Sequence, residues 1–163
     1  MELIKKKIFQ NWFYFSIILF LFFIDRVSKN YILDFFLDQK IDIYYINSIL
    51  NFVLIWNSGI AFGLFEADGF FYNLLSLFIL CIILFLFVGL IQSIDKFEKF
   101  NISLVIGGAL GNFYDRFLFN AVPDFIDLHY QDFHWFVFNV ADIIITFGII
   151  LLLLSHIFIK KNV

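Results

Sequence analysis

The sequence predicts an all-α membrane protein with four transmembrane helices and a small extracytoplasmic β-sheet cap. Hydrophobic residues make up 63% of the 163 residues, and charged residues make up only 15%, against about 25% in soluble domains. Four long apolar runs each approach the roughly 20 residues that a helix needs to cross a bilayer. We therefore expect one integral membrane domain that covers residues 1–163.

The four apolar runs are expected to be helical, because backbone groups in lipid must be hydrogen-bonded within their own segment. The first contains charged residues in its second half, the second is almost wholly apolar, and the third is rich in glycine. The fourth carries Asn139 and Asp142 in its first turns. The predicted spans cover about residues 12–33, 71–91, 102–119 and 138–159.

The outer segment, residues 34–70, is too long for a tight connection. Its runs IDIYYI and ILNFVLIWNSG are rich in β-branched and aromatic residues, which predicts strands with a turn near Asn57 to Gly59. The connection between the third and fourth spans is predicted to be a short loop that carries Asp124.

The basic residues predict the orientation of the chain in the membrane. Lysines precede the first span, lie in the connection between the second and third spans, and follow the fourth span, whereas the other connections are acidic. The positive-inside rule then places both termini in the cytoplasm. The start, MELIKKK, resembles a signal peptide, but no A-x-A-like cleavage site follows, so we expect an uncleaved span.

Two aspartates, Asp124 and Asp142, lie beside the ends of apolar helices. A carboxylate near the bilayer core is disfavoured by roughly 2.5–3.5 kcal/mol, so such residues are candidates for function. The predicted topology gathers both of them, together with Asp25 and Asp115, at the outer face of the membrane. Two carboxyls from different elements in one layer indicate an acid/base pair.

A carboxyl pair can hydrolyse an amide without a covalent intermediate. Like charges at close range cannot both ionise, so the pair shares one proton. The ionised member takes a proton from water, and the protonated member polarises the scissile carbonyl. The sequence contains no convincing Ser–His or Cys–His arrangement, and the D-[TS]-G loops of soluble aspartic proteases are absent.

The polar residues near this pair have competing structural interpretations. Gly108, Asn112 and Asp115 form one stripe of a helix at i, i+4 and i+7, and we expect Asp115 to give structural support by pairing with Arg116 or Lys29. Asp25 and Lys29, at i and i+4, form either a helix pair or a contact with a lipid headgroup or substrate.

Two other acidic or amide side chains lie near the pair. Asn139, three residues before Asp142, is expected to orient the catalytic carboxylate or the substrate backbone. Asp127 is expected to be a solvated loop residue.

No metal or cofactor is predicted. Cys81 lies in an apolar run and is interpreted as a small buried hydrophobe, and no Cys/His set has metal-ligand spacing. His129 and His134 fall in the predicted loop before Asp142 and are not interpreted as ligands. The net charge of −3 and the lack of a basic patch argue against nucleic-acid binding.

Two other classes of protein use buried carboxylates. One is a small transporter or channel subunit. Two observations argue against it: the polar residues gather at one face, and no polar stripe crosses the second span. The other is an assembly protein whose aspartates only pair with Arg26, Lys29 and Arg116.

Five sequence blocks occur along the chain in this order: FFIDRVSKNYI, NSGIAFG, GGALGNFYDR, VPDFIDL and FNVAD. They resemble, in the same order, the signature blocks of the bacterial lipoprotein signal peptidases, also called signal peptidase II. The resemblance implies an aspartic endopeptidase that cleaves diacylglyceryl-modified prolipoproteins before the lipidated cysteine. It also implies membrane lipid as a partner, the bacterial cytoplasmic (inner) membrane as location and an active site on its outer face. We expect a monomer.

Carried over by position, the family's catalytic pair falls on Asp124 and Asp142. One departure is Pro123, where the family usually has an aliphatic residue; proline removes a backbone N–H and fixes φ near −65°. The family's supporting polar residues fall on Asp25, Lys29, Asn57, Asn112, Asp115, Arg116 and Asn139.

Overall fold

Four helices and a four-stranded sheet make up the computed structural model, which describes residues 11–59 and 69–159. The helices are α1 (Trp12–Gln39), α2 (Phe70–Gln92), α3 (Lys96–Phe119) and α4 (Val140–Leu154), which continues into a π-helical turn, Ser155–Ile159. The strands are β1 (Ile43–Asn47), β2 (Leu50–Asn57), β3 (Val122–Tyr130) and β4 (Phe133–Phe138). The terminal lysines, Glu66 and the second half of the NSGIAFG block lie outside the described residues.

Helix α3 is the central element and packs against α1, α2 and α4. Its glycines make the close packing possible, as in small-xxx-small contacts between membrane helices. A Cβ atom on Gly108 would lie 2.7 Å from the carbonyl oxygen of Ala141 and 2.8 Å from Cγ1 of Ile145. The first turns of α4 therefore rest directly on the backbone of α3.

The sheet is antiparallel in the order β1-β2-β3-β4. It is attached to the helices through apolar side chains: Ile32 and Phe36 of α1 form a buried cluster with Phe125 of β3. Helix α3 leads into β3 and β4 leads into α4. The sheet thus lies at the end of the bundle where α1 and α3 finish and α4 begins.

The prediction of a short loop between the third and fourth spans is wrong, because this segment forms two strands, β3 and β4. Strand β3 pairs with β2 along the edge that a two-stranded hairpin would leave open, and unpaired edges are unfavourable. The catalytic candidate Asp124 therefore lies in a strand, opposite Ile55. Asp127 also lies in β3 rather than in a solvated loop.

The predicted spans are approximately placed, but their ends differ. Helix α1 continues six residues beyond the predicted end at residue 33, so Asp34 and Asp38 belong to the helix. Helix α3 begins at Lys96 because Oδ1 of Asp95 accepts the N–H groups of the next turn, from Phe97 at 2.7 Å and Glu98 at 3.2 Å. Helix α4 begins at Val140, after the N-cap Asn139.

Within the described residues, two helices are long and apolar enough to cross a membrane by length and composition: Phe70–Gln92 and Val140–Ile157. Few of their side chains are buried inside the protein, as expected for surfaces that face lipid. Helices α1 and α3 carry more charged residues, and several of these are buried in the interior of the bundle: Asp25, Lys29, Asp115 and Arg116.

Candidate active site

Asp124 and Asp142 line one cavity of about 740 Å³ where the helices meet the sheet. Strand β3 supplies Asp124, and the first turn of α4 supplies Asp142. Asn112 and Arg116 of α3 lie at the same end of this cavity. The structure thus brings together residues that are far apart in the sequence. The predicted topology already groups these residues at one level of the membrane.

Both oxygens of the Asp124 carboxyl group accept a hydrogen bond from an uncharged amide. Nδ2 of Asn139 donates to Oδ1 at 2.6 Å, and Nδ2 of Asn57 donates to Oδ2 at 2.9 Å. The backbone N–H of Gly59 donates to Oδ1 of Asn57 at 2.9 Å and so holds that amide in orientation. Asp124 itself is only 3% exposed.

Asp142 is held in a matching way at the start of α4. Nδ2 of Asn112 donates to its Oδ1 at 2.7 Å, and the backbone N–H of Asn139 donates to its Oδ2 at 3.1 Å. The backbone N–H of Asp142 in turn donates to Oδ1 of Asn139 at 3.1 Å, which completes a reciprocal capping box. Asn139 therefore contacts both carboxyl groups and fixes their relative position.

Burial raises the pKa of Asp124 from 3.8 to about 6, and the nearby charge of Asp142 contributes to the rise. The amides of Asn57 and Asn139 oppose it, because their hydrogen bonds favour the ionised carboxylate. A raised pKa favours a proton on this carboxyl group, which is what a shared-proton pair requires.

A second set of charged residues lies behind Asp142. Nζ of Lys29 donates to Oδ2 of Asp115 at 2.7 Å and to Oδ1 of Asn112 at 2.7 Å, and it lies 3.0 Å from Oδ2 of Asp25. The expected pairing of Asp115 with Lys29 is present. Because Lys29 is fully buried, its ammonium group contacts these side chains rather than a lipid headgroup.

Arg26 also belongs to this charge cluster, although the sequence suggested its pairing with aspartates only for the alternative of an assembly protein. Its guanidinium group donates to both oxygens of Asp115 and, through Nη2, to Oδ2 of Asp25 at 2.6 Å. Oδ1 of Asp25 accepts the N–H of Ala141 at 3.2 Å, so the cluster also contacts the first turn of α4. An arginine next to an aspartate in an apolar helix was the available signal.

Arg116 has a different role from the predicted pairing with Asp115. Its Nη2 donates to the carbonyl oxygen of Gly59 at 3.0 Å, and its Nη1 donates to that of Asn112 at 3.4 Å. The hydroxyl of Tyr72 donates to the carbonyl oxygen of Arg116 at 3.1 Å. Arg116 thereby holds the chain after β2, which carries Asn57, against α3.

Pro123 does not displace the carboxyl group that follows it. It is the second residue of β3 and lies opposite Trp56, and proline is accepted near the start of a strand, where one ladder hydrogen bond can be omitted. Asp124 still accepts both amide hydrogen bonds.

The partners of the four carboxyl groups divide them into two kinds. Asp25 and Asp115 are paired with cationic side chains. Asp124 and Asp142 take part in no salt bridge within the part of the chain that the structure describes, and their oxygens accept only amide N–H groups. Two carboxyl groups without a neutralising cation can share a proton and activate a water molecule.

Asp127 is buried, contrary to expectation, and lies on β3 away from the pair. Its carboxylate faces Nδ1 of His134 at 2.9 Å, and His129 stacks on His134 with ring centroids 5.2 Å apart. The histidines are opposite each other in the register of β3 and β4. Spacing along the sequence could not reveal this cluster, because only the hairpin brings its members together.

Comparison with known proteins identifies relatives of this chain. A family model described as "Signal peptidase (SPase) II" matches residues 17–158. A lipoprotein signal peptidase of Pelagibacter ubique (strain HTCC1062) is 49% identical over 148 residues, which cover 90% of this chain and 88% of that protein. One from Aquifex aeolicus (strain VF5) is 36% identical and covers 91% of this chain and 88% of its own length.

Two solved structures of a bacterial membrane enzyme, obtained by the in meso method, share the fold. The structure at 2.3 Å resolution superposes with a TM-score of 0.71 and 29% identity, over 91% of this chain and 90% of the other. The structure at 1.9 Å resolution has a TM-score of 0.67 and 28% identity, over 90% and 93%. The family match spans most of the sequence, and the chain therefore belongs to the signal peptidase II family.

Proposed function

We propose that this protein is a signal peptidase of the bacterial cytoplasmic membrane that removes signal peptides from diacylglyceryl-modified prolipoproteins, cutting before the lipidated cysteine. Membership of the signal peptidase II family supports this, as do relatives named lipoprotein signal peptidase. The observation that carries the proposal is the pair Asp124 and Asp142, which has only amide partners among the described residues and opens on an apolar cavity. Asp124 is buried and Asp142 is partly buried.

The pair acts as an aspartic protease. Asp124 holds the shared proton at rest, in keeping with its raised pKa. Asp142 is ionised, because it lies at the N-terminus of α4, where the helix dipole and a backbone N–H favour negative charge. Asp142 takes a proton from a water molecule, the water oxygen adds to the scissile carbonyl, and Asp124 gives its proton to the carbonyl oxygen.

The tetrahedral diol then collapses with the proton roles exchanged. Asp142 gives its proton to the leaving amine, and Asp124 recovers one from the diol as the carbonyl forms again. Asn57, Asn112 and Asn139 orient the two carboxyl groups. The charge cluster of Asp25, Arg26, Lys29 and Asp115 positions Asn112 and the start of α4, and Arg116 holds the chain that follows Asn57.

The cavity fits an apolar substrate segment. Below the polar end it runs between α2 and α4 and is lined by side chains such as Leu75, Ile79, Ile143 and Phe147. A cavity with one polar end and an apolar body can hold the hydrophobic part of a signal peptide or an acyl chain while the peptide bond lies at the carboxyl pair.

All four helices cross the membrane in this proposal, with both termini in the cytoplasm and the active site at the outer face. Nζ of Lys99 donates to Oδ1 of Asn11 at 2.7 Å, so the starts of α1 and α3 lie at one end of the bundle. The sheet and the aspartates lie at the other end. One chain supplies every member of the site, which is consistent with a monomer.

The alternative of a transporter or channel subunit is less well supported. The relatives reported above are peptidases by name. The polar side chains of the cavity gather at one end, near Asp124 and Asp142, whereas a transport path needs polar groups along the membrane.

The decisive experiment is cleavage of a diacylglyceryl-modified prolipoprotein by the purified protein, with the unmodified precursor as a second substrate. We expect the wild type to release the signal peptide from the modified substrate alone. Asp124→Asn and Asp142→Asn should each abolish release, because each carboxyl group transfers a proton in the cycle.

The matched control is Asp38→Asn, since Asp38 is an exposed aspartate at the end of α1. It should retain the wild-type rate. All three variants should insert and melt as folded proteins. Turnover near the wild-type rate in Asp124→Asn or Asp142→Asn would overturn the assignment of the catalytic pair, and a wild type that releases nothing would overturn the proposed activity.

A further inference from the structure

The β3–β4 hairpin carries a group of metal-binding side chains that the peptidase reaction does not use. Asp127 and His129 lie near the end of β3, and His134 lies on β4. Each can offer one ligand atom, and these three atoms lie within 4.8 Å of one another. The cluster is made by strand pairing, in which His129 faces His134.

An ion pair between Asp127 and the histidines does not account for every polar atom of this cluster. Oδ2 of Asp127 lies 2.9 Å from Nδ1 of His134 and 3.9 Å from Nδ1 of His129. That nitrogen of His129 is buried and has no hydrogen-bond partner among residues 11–59 and 69–159. A positive centre between the carboxylate and the two imidazoles would satisfy it.

The neighbouring strand supports the carboxylate. Asn51 lies opposite Asp127 in the β2–β3 register, is 9% exposed, and donates from Nδ2 to Oδ2 of Asp127 at 3.5 Å. Its own Oδ1 is buried without a hydrogen-bond partner in the described part of the chain. Groups that hold a ligating carboxylate in place are typical of metal sites.

We propose that Asp127, His129 and His134 bind a divalent transition metal ion, Zn²⁺ by preference, which ties β3 to β4. Two imidazoles and one carboxylate are ligands typical of Zn²⁺, and a three-residue site leaves a fourth position for water. Metal–ligand bonds of about 2.0–2.2 Å in a tetrahedron place ligand atoms roughly 3.3 Å apart. The ligand atoms of Asp127, His129 and His134 lie within 4.8 Å of one another, so the three side chains need to move only slightly closer together to bind the ion.

The site is separate from the carboxyl pair but acts on the same hairpin. Strand β3 begins with the segment that carries Asp124, and β4 leads into Asn139 and Asp142. A metal ion at the far end of these strands holds their register and thereby stabilises the part of the sheet that supports the pair.

The test uses tag-free, full-length protein in detergent, freed of metal with a chelator and titrated with Co²⁺ as a visible probe. We expect one Co²⁺ per chain, with an absorption band that Zn²⁺ displaces. Addition of Zn²⁺ should also raise the melting temperature of the wild type.

His134→Ala is the principal variant, since His134 is exposed and we expect the fold to tolerate its loss. It should weaken Co²⁺ binding by at least about tenfold, and Zn²⁺ should no longer raise its melting temperature. Asp127→Asn should behave in the same way. His156→Ala, which changes a histidine in the π-helical turn after α4, should bind Co²⁺ as the wild type does.

Either of two results would overturn the metal site. One is a wild type that binds Co²⁺ and Zn²⁺ no better than the detergent blank. The other is a His134→Ala variant whose Co²⁺ affinity and Zn²⁺-dependent melting match the wild type. Neither readout depends on cleavage, so failure here is distinct from failure of the proposed peptidase activity.

Discussion

At the scale of single residues, the local partners of each carboxyl group indicate its role. Asp115 is fully buried beside Arg26 and Lys29, where it neutralises positive charge. Asp124 is almost as deeply buried but accepts only the amides of Asn57 and Asn139. Burial with a cation favours an inert ionised group, whereas burial with neutral donors leaves a carboxyl group able to take up a proton.

The raised pKa of Asp124 predicts a pH-dependent stability. Its pKa is about 6 in the folded protein against 3.8 for the exposed group. The contribution of protonated Asp124 to the free energy of unfolding is therefore complete below pH 3.8 and is lost as the pH rises through about 6. The difference corresponds to about 3 kcal/mol at most.

We expect the melting temperature in detergent to fall as the pH is raised from about 5 to about 8. Asp124→Asn should remove much of that fall, because an amide does not titrate, and Asp38→Asn should keep it. A slope unchanged in Asp124→Asn would show that other groups cause the pH dependence.

The two kinds of carboxyl group predict opposite costs of substitution. Asp115→Asn leaves the charges of Arg26 and Lys29 without their partner, and breaking a buried ion pair costs about 3–5 kcal/mol. Asp142→Asn removes one of two mutually repelling carboxyls, so its cost should be small. Melting curves and cleavage rates of both variants measure the difference.

Asp115→Asn should melt well below the wild type yet keep measurable cleavage, whereas Asp142→Asn should be stable and inactive. A stable Asp115→Asn variant without activity would place Asp115 in the catalytic set.

At the scale of elements, the position of Asp142 depends on how closely α4 approaches α3. Only a glycine at 108 lets the carbonyl of Ala141 lie against the α3 backbone. The capping box of Asn139 then fixes the first turn of α4. The carboxyl pair is therefore formed by a helix contact and a helix start together, and a change in either should move one carboxyl relative to the other.

Gly108→Ala should disturb this contact, because its Cβ would lie 2.7 Å from Ala141 oxygen. Overpacking of this kind costs about 1–3 kcal/mol, and the shift of α4 should lower the cleavage rate. Melting curves and cleavage rates report the two effects.

Gly89→Ala in α2 is the matched control, since its Cβ would meet only Cδ1 of Ile102 at 3.9 Å. It should be neutral or slightly stabilising, because alanine is the better helix former. Equal behaviour of the two variants would argue against a special role for the α3–α4 contact.

At the scale of the whole molecule, the single sheet links two of the connections between helices. Strands β1 and β2 come from the connection after α1, and β3 and β4 come from the connection between α3 and α4. Because all four strands are paired in one sheet, both connections lie at the same end of the helix bundle, which the proposed topology places outside.

Cysteine labelling tests this orientation in a Cys81→Ser background. A membrane-impermeant thiol reagent should label Asp132→Cys, in the turn between β3 and β4, from outside intact cells. Ile94→Cys, in the exposed connection between α2 and α3, should be labelled only after permeabilisation. Labelling of Ile94→Cys in intact cells, or protection of Asp132→Cys, would contradict the proposed topology.

The sequence by itself determined the apolar character of the chain, the approximate positions of its helices and the identity of the polar residues near the end of the bundle that carries the sheet. These properties follow from local composition and periodicity, which do not depend on tertiary contacts. The family blocks add the order of the motifs, and together these suffice to select Asp124 and Asp142 as candidates. The end of β2 at Asn57 was also indicated by its turn residues.

Only the tertiary structure decided the partners. The strand identity of residues 122–130 follows from pairing with β2, because this segment acquires hydrogen bonds from a strand that is distant in sequence. The same holds for Arg26 beside Asp115, 89 residues away, and for the opposition of His129 and His134 across a hairpin. Charge pairing, burial and ligand geometry are properties of neighbours in space, and a linear pattern cannot specify them.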